Sequence, residues 1–203
     1  MTDKRLTRAQ VKALAKEFGI DENLVMTVII KESRRAGFDE TGQPSILFER
    51  HQFYRLLGKA GKTDVRSRAM KIDPNICQPT MGGYGLYRIQ HERLQTATKY
   101  DRELALQSAS WGSMQVMGFN YRLCGYEALQ DFINAMYDSE YRQVEAGLNF
   151  MKNTGALEYL KDHKWAKFAR SYNGPAYAIN NYDKDLAAIY ASIVKNGYKL
   201  ATD

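Results

Sequence analysis

The stretch DENLVMTVIIKES, residues 21–33, predicts an amphipathic helix with a carboxylate on its apolar face. Helical periodicity places Glu32 on the same face as four apolar residues: Leu24, Val25, Val28 and Ile29. Burial among apolar groups disfavours the charged form of a carboxylate and raises its pKa, which suits a general acid near neutral pH. A structural alternative is open at this point: Glu32 turns toward solvent at the helix end or joins an ion pair.

Helical patterns continue on both sides of this stretch. Thr7 and Gln10 predict a capping box for a helix that Gly19 can close, and Asp21 is the predicted N-cap of the helix that carries Glu32 and ends before Gly37. Further helices are predicted over 87–100, 105–117, 138–151, 164–172 and 183–195. The sequence therefore predicts a mainly α architecture.

Residues 39–80 form a loop-rich excursion from this pattern, because six glycines and prolines interrupt it: Gly42, Pro44, Gly58, Gly61, Pro74 and Pro79. One short helical piece is predicted over 49–57. The run SILFE, residues 45–49, fits a short strand, and a small hairpin is an option within the excursion.

Composition narrows the class of protein and its partners. A chain of 203 residues suits one domain, and no apolar run approaches the roughly 18 residues that a membrane span needs. The first ten residues lack the apolar stretch of a signal peptide, so we expect synthesis in the cytosol. A net charge of +6 predicts attraction to polyanions, but no nucleic-acid-binding motif accompanies it, so nucleic acid is not a predicted partner.

Glu49 is a second candidate catalytic carboxylate. Helical spacing aligns it with three apolar residues: Phe53, Leu56 and Leu57. An acid together with a base or nucleophile is the usual equipment for glycoside hydrolysis. The structural alternative is a salt bridge to one of the nearby arginines, namely Arg34, Arg35, Arg50 or Arg55.

Two later segments offer groups that suit a sugar ligand. In residues 108–118, Ser110 and Trp111 precede a glycine, and Gln115 carries an amide that both donates and accepts hydrogen bonds. In residues 170–177, Tyr172 and Asn173 stand at a helix end that Gly174 and Pro175 terminate. Tyr172 also has a structural alternative as a core tyrosine.

Taken in order, these elements resemble the lysozyme superfamily, in particular the branch of soluble lytic transglycosylases and goose-type lysozymes. The matching elements are Glu32-Ser33, Gly112-Ser113-Met114-Gln115 and Ser171-Tyr172-Asn173-Gly174. The common order of the three elements makes the resemblance specific.

The chain resembles the N-acetylmuramidase domain of bacteriophage endolysins more closely, from about Val11 to Tyr198. The matching elements are Gly37-Phe38, Phe48-Glu49-Arg50-His51, Gly82-Gly83-Tyr84-Gly85, residues 109–112 and residues 117–121. The resemblance implies a lysozyme-like helical fold and cleavage of the β-1,4 bond between N-acetylmuramic acid and N-acetylglucosamine, which lyses the cell. It also implies that the enzyme reaches the periplasmic wall through a membrane hole made by another protein.

Two departures from the transglycosylase pattern favour hydrolysis. A long insertion separates Ser33 from Gly112, and Ser113 replaces the usual leucine. The alternatives that stay open are a lytic transglycosylase, which leaves 1,6-anhydro products, and a non-catalytic wall-binding phage module.

The predicted site combines these residues. Glu32 is the general acid and Glu49 assists the water or the oxocarbenium-like centre. The predicted substrate-binding residues are Tyr84, Tyr87, Ser110, Trp111, Gln115, Tyr172 and Asn173.

No cofactor is predicted, and no metal, because the three histidines form no close ligand pair. We expect residues 1–203 to be a single muramidase catalytic domain with no separate cell-wall-binding domain. The predicted partners of this monomer are peptidoglycan glycan strands and, by electrostatic contact, anionic outer-membrane lipid.

Overall fold

The computed structural model describes residues 3–32 and 36–203, and the side chains of all of these except residues 176, 179 and 180. Ser33, and the alternatives that pair Glu49 with Arg34 or Arg35, lie outside the described residues. The described part contains eleven α-helices: α1 (Arg8–Phe18), α2 (Glu22–Glu32), α3 (Arg50–Lys59), α4 (Thr63–Ile72), α5 (Gln90–Thr98), α6 (Arg102–Gln107), α7 (Leu129–Asp138), α8 (Glu140–Asn153), α9 (Ala156–Lys161), α10 (Trp165–Asn173) and α11 (Tyr182–Asn196). It also contains three strands: β1 (Ile46–Phe48), β2 (Ala109–Trp111) and β3 (Val116–Met117). The prediction of a mainly α fold is confirmed.

The two N-terminal helices form with the caps that the sequence predicts. The side chain of Thr7 accepts a hydrogen bond from the amide of Gln10, and the Gln10 side chain accepts one from the Thr7 amide at 2.9 Å. Gly19 closes α1 in the left-handed conformation at φ 62°. Asp21 Oδ1 accepts from the Asn23 amide at 3.0 Å and so caps the start of α2.

Helix α2 lies in the interior because nearly all of its length is apolar. Six consecutive side chains, residues 24–29, are buried, and the helix packs against α1 and α11. This packing fixes the C-terminal end of α2, where Glu32 stands.

The sheet differs from the prediction. The strand predicted within residues 45–49 is confirmed, but β1 pairs antiparallel with β2, and β2 with β3, so that the hairpin lies at 109–117. Within residues 39–80, the described backbone forms no hairpin with named strands; a single bridge joins Phe38 to Pro44. The helix predicted over 105–117 is therefore wrong beyond Gln107.

Backbone conformation explains why this segment turns. Gly112 has φ 68° and Gln115 has φ 47°, both in the left-handed region that a continuing helix cannot use. A Cβ on Gly112 would stand 2.6 Å from the carboxamide carbon of Gln143, so the position requires glycine. The excursion at 39–80 is also more helical than predicted, because α4 follows α3 within it.

Gln143 on α8 ties three segments together from a buried position. Its amide nitrogen donates to the carbonyls of Gly37 at 3.0 Å and Met136 at 2.9 Å, while its oxygen accepts from the Ser113 amide at 2.8 Å. Its side chain thus connects the loop that leads from α2 to β1, the β2–β3 turn and α7.

No helix in the described ranges is both long enough and apolar enough to cross a membrane.

Candidate active site

A cleft of about 570 Å³ opens at the C-terminal end of α2, between the sheet and the segment before α5. Its lining mixes carboxylate, amide, hydroxyl and aromatic groups, which is the mixture that a polar ligand with apolar ring faces requires. The lining residues are Lys31, Glu32, Ser45, Leu47, Tyr84, Gly85, Tyr87, Gln90, Gly112, Ser113, Gln115, Asn173 and Tyr182.

Glu32 stands in this cleft, half-buried, and its carboxylate is held by Tyr182. The Tyr182 hydroxyl donates a hydrogen bond to Oε1 of Glu32. Burial, and then the charge of Glu32, raise the pKa of Tyr182 well above its ordinary value, so its hydroxyl keeps the proton that it donates.

Lys31 holds Tyr182 from the other side. Its Nζ lies 4.7 Å from the centre of the Tyr182 ring and 2.6 Å from Oδ2 of Asp185 on α11. These contacts join the end of α2 to the start of α11, and they orient the ring whose hydroxyl meets Glu32.

Three of the predicted substrate-binding residues, Tyr84, Tyr87 and Asn173, line the cleft. Asn173 is the last residue of α10, where Gly174 at φ 85° ends the helix as the sequence predicts.

Tyr172, one residue earlier, is not among the lining residues. Its hydroxyl donates to the Met114 carbonyl at 3.3 Å, and its ring stacks on Phe168. Burial, and then the charge of Glu32, raise the pKa of Tyr172, so its hydroxyl keeps the proton that it donates within the protein.

Gln115 lines the cleft, but its amide is already used by the protein. Nε2 donates to Gly112 at 2.7 Å and Ser45 at 3.3 Å, and Oε1 accepts from the hydroxyl of Ser110 at 2.9 Å. The predicted contact of Ser110 with substrate is not supported, because Ser110 is buried and instead orients Gln115.

Trp111 is the clearest departure from the predicted site. Its ring is 1 % exposed, and its Nε1 donates to the Leu106 carbonyl at 3.0 Å. Residues on a strand alternate between faces, and Trp111 points into the core beneath the sheet. It therefore stabilises the fold and cannot stack on a sugar in the cleft.

Glu49 is not among the residues that line the cleft. It is the N-cap residue of α3, with a side chain 19 % exposed, and its Oε2 lies 3.3 Å from Nε2 of His51. Burial raises the pKa of Glu49. Among the described residues, Glu49 makes this contact with histidine and no salt bridge to Arg50 or Arg55, which the sequence left open as an alternative.

Sequence reasoning missed Tyr182, although a signal for it exists. Tyr182 precedes Leu186, Ile189 and Ile193 at helical spacing, so it begins the buried stripe of α11. A polar hydroxyl on such a stripe needs a buried partner. Among the described residues, no group of three or more His, Cys, Asp and Glu side chains is arranged to hold a metal ion.

A carboxylic acid held at the end of a buried helix, facing a polar cleft in a mainly α protein with a small antiparallel sheet, defines a lysozyme-type glycoside hydrolase. Comparison with protein families makes this specific: residues 21–194 match the N-acetylmuramidase family model, and the chain belongs to that family.

Two relatives support the assignment. The endolysin of Enterobacteria phage PRD1 is 30% identical over 115 residues, which cover 53% of this chain and 76% of the relative. The crystal structure of Burkholderia AP3 phage endolysin superimposes with a TM-score of 0.86 at 36% identity, over 96% of this chain and 74% of the other.

The predictions of a lysozyme-like fold and of a peptidoglycan-hydrolysing muramidase of the endolysin type are confirmed. The substrate is peptidoglycan, and the bond that a muramidase cuts joins N-acetylmuramic acid to N-acetylglucosamine.

Proposed function

We propose that Glu32 is the general acid of this muramidase. The observation that carries the proposal is its position, with the carboxylate in the cleft and one oxygen bound to the Tyr182 hydroxyl. A general acid must present its proton in a fixed direction, and this hydrogen bond holds the Glu32 carboxyl group in one orientation.

The reaction needs only this carboxylate to move protons. Protonated Glu32 gives its proton to the glycosidic oxygen as the bond to the anomeric carbon breaks, and the ring becomes oxocarbenium-like. Water then adds to the anomeric carbon, and its proton passes to the carboxylate that the first step left on Glu32. Among the described residues that line the cleft, Glu32 is the only carboxylate.

The glycan is bound by the aromatic and amide groups of the same cleft. Tyr84 and Tyr87 offer ring faces for the apolar faces of sugars, and Asn173 offers an amide for hydroxyl or N-acetyl groups. The hydrogen-bonding groups of Gln115 are bound within the protein, so this residue supports the cleft floor. It can offer the substrate at most the second lone pair of its Oε1.

A cleft with one carboxylate would also serve a lytic transglycosylase, in which a hydroxyl of the muramic acid replaces water. We expect hydrolysis, and mass spectrometry of the released muropeptides checks it. Reducing ends identify hydrolysis, whereas 1,6-anhydro rings would show transglycosylation. The Glu32→Gln variant, digested in parallel, should release neither product.

For Glu49, the geometry favours a supporting role over the predicted catalytic one. Burial lowers the pKa of His51, with Arg55 and Arg50 adding to the effect, so His51 is neutral at neutral pH and does not compensate the charge of Glu49. Because the folded state raises the pKa of Glu49, stability is lost as the pH rises from the ordinary glutamate value of 4.5 through the raised pKa.

We therefore expect Glu49→Gln to unfold at an equal or higher temperature than wild type at pH 7. The difference should shrink as the pH falls through the raised pKa of Glu49 toward the ordinary glutamate value of 4.5, because protonation removes the charge at this position. Activity per folded molecule should stay within about threefold of wild type. Thermal unfolding at several pH values and a turbidity assay measure both; a folded but inactive variant would restore Glu49 as a catalytic residue.

The contacts beyond the glycan are proposals of the same kind. The net charge of +6 would favour adsorption of the protein to anionic outer-membrane lipid, and added salt would weaken this adsorption. We expect the protein to act as a monomer. Passage to the periplasmic wall through a hole made by another protein, and a single catalytic domain over residues 1–203, stay predictions.

A further inference from the structure

A second cavity of about 550 Å³ adjoins the cleft and is nearly as large. The two cavities share Ser45, Tyr87 and Gln90 as lining residues. A branch of a ligand in the cleft could therefore enter the second cavity, called here the side cavity, without leaving the protein surface.

The side cavity differs from the cleft in its charge. Asp39 and Glu40 lie on the loop before β1, and Arg88 lies on the segment before α5, with His91 one turn further on. Phe38, which is half-buried, adds apolar surface. The lining thus presents both signs of charge together with apolar groups.

Asp39 is held in an ionised state by its loop. Burial alone would raise its pKa, but hydrogen bonds from Thr41 and Gln43 outweigh burial and lower it. Oδ1 accepts all three of the turn's hydrogen bonds, whereas Oδ2 lies 4.0 Å from Nε2 of His91. The His91 Nε2 itself lies 2.9 Å from the Pro44 carbonyl and donates to it, so Oδ2 keeps capacity for a ligand cation.

These charges have no counterpart in the glycan backbone, whose amino sugars are neutral once the lactyl group of muramic acid is amidated. They do match the stem peptide attached to that lactyl group, which carries free carboxylates, alanine methyl groups and, on its diamino acid, an ammonium group. Arg88 suits a carboxylate and Asp39 suits the ammonium group.

We propose that the side cavity binds the stem peptide of peptidoglycan while the glycan strand occupies the cleft. The inference rests on the proposed function, because it places the branch point of the substrate next to Glu32. It makes the enzyme selective for peptide-bearing glycan over bare glycan.

The test compares two soluble substrates, glycan strands that keep their stem peptides and the same strands stripped by an amidase. Wild type should cut the peptide-bearing strands with a kcat/KM roughly tenfold higher, the worth of one or two charge-assisted contacts. Arg88→Gln should bring the ratio of the two kcat/KM values close to one. Asp39→Asn, whose Oδ1 can still accept the turn's hydrogen bonds, should lower it as well. Arg122→Gln, an exposed arginine outside both cavities, should keep the wild-type ratio.

A direct titration separates this inference from the proposed function. Alanyl-γ-glutamyl-diaminopimelate, added to labelled wild type, should shift the amide resonances of Asp39, Glu40 and Arg88, and Arg88→Gln should reduce the shifts. Equal kcat/KM values on both substrates, or a tripeptide that leaves these resonances unmoved, would overturn the inference. If neither glycan is cut, the proposed function fails, and the titration still decides whether the side cavity binds peptide.

Discussion

Glu32→Gln should reduce the rate of peptidoglycan cleavage by about 10²–10⁴-fold, the usual contribution of a general acid. An amide cannot give up a proton to the glycosidic oxygen, but its oxygen can still accept the hydrogen bond from Tyr182. The fold and the affinity for the wall should therefore survive the change. Turbidity clearing of permeabilised cells measures the rate, and sedimentation with purified sacculi measures binding.

Glu17→Gln is the matched control for this loss. Glu17 is an exposed carboxylate on α1 and does not line the cleft, so its variant should clear cells at the wild-type rate. Substantial lysis by a folded Glu32→Gln protein would remove Glu32 from the mechanism.

Tyr182→Phe should lower kcat by about tenfold to a hundredfold, with little change in KM. The phenylalanine ring keeps the packing between α2 and α11, and Lys31 can still lie over it. What disappears is one hydrogen bond to a charged group, worth about 1.5–3 kcal/mol, and with it the fixed direction of the Glu32 carboxyl. Tyr182 is thus expected to be a positioning residue.

The pH profile separates this role from a purely structural one. A hydrogen bond donated to a carboxylate favours its ionised form, so without the Tyr182 hydroxyl the protonated acid should persist to higher pH. The basic limb of the kcat profile should therefore move upward in Tyr182→Phe.

Tyr190→Phe provides the matched control, because Tyr190 lies on the same helix and its hydroxyl donates to Asp21 Oδ2 at 3.3 Å, away from the cleft. Tyr190→Phe should change neither kcat nor the pH of the basic limb of the kcat profile. An unmoved limb with unchanged kcat in Tyr182→Phe would show that the hydroxyl has no part in the reaction.

Local signals predicted the helical frame well. The capping box at Thr7, the left-handed Gly19 and the apolar run of α2 depend on neighbours close in the chain, and each appears in the structure. The hairpin at 109–117 could not be predicted from signals that lie close together in the chain. Its strand β2 pairs with residues 46–48, and its turn requires Gly112 to fit against Gln143, both distant in sequence.

The site likewise combines features that depend on neighbours in the chain with features that depend on distant residues. The position of Glu32 follows from helical periodicity, but whether an aromatic or amide side chain meets the ligand depends on which face of a strand it occupies. Trp111 and Ser110 belong to the segment predicted as helix, and the change to a strand turns Trp111 into the core and binds Ser110 to Gln115. Tyr182 comes from the far end of the chain, and only the packing of α11 on α2 brings its hydroxyl to Glu32.

The buried amide of Gln143 has a consequence for how the polymer enters. One side chain holds Gly37, beyond the helix that carries the acid, and Ser113, on the cleft wall opposite. Hinge bending that swung these two apart would break at least one of these two buried hydrogen bonds. Each group left unsatisfied costs about 1–3 kcal/mol. We therefore expect a rigid cleft that already has its shape before the substrate binds. A glycan strand enters this cleft from the side, so the enzyme can cut within a cross-linked network and does not need a chain end.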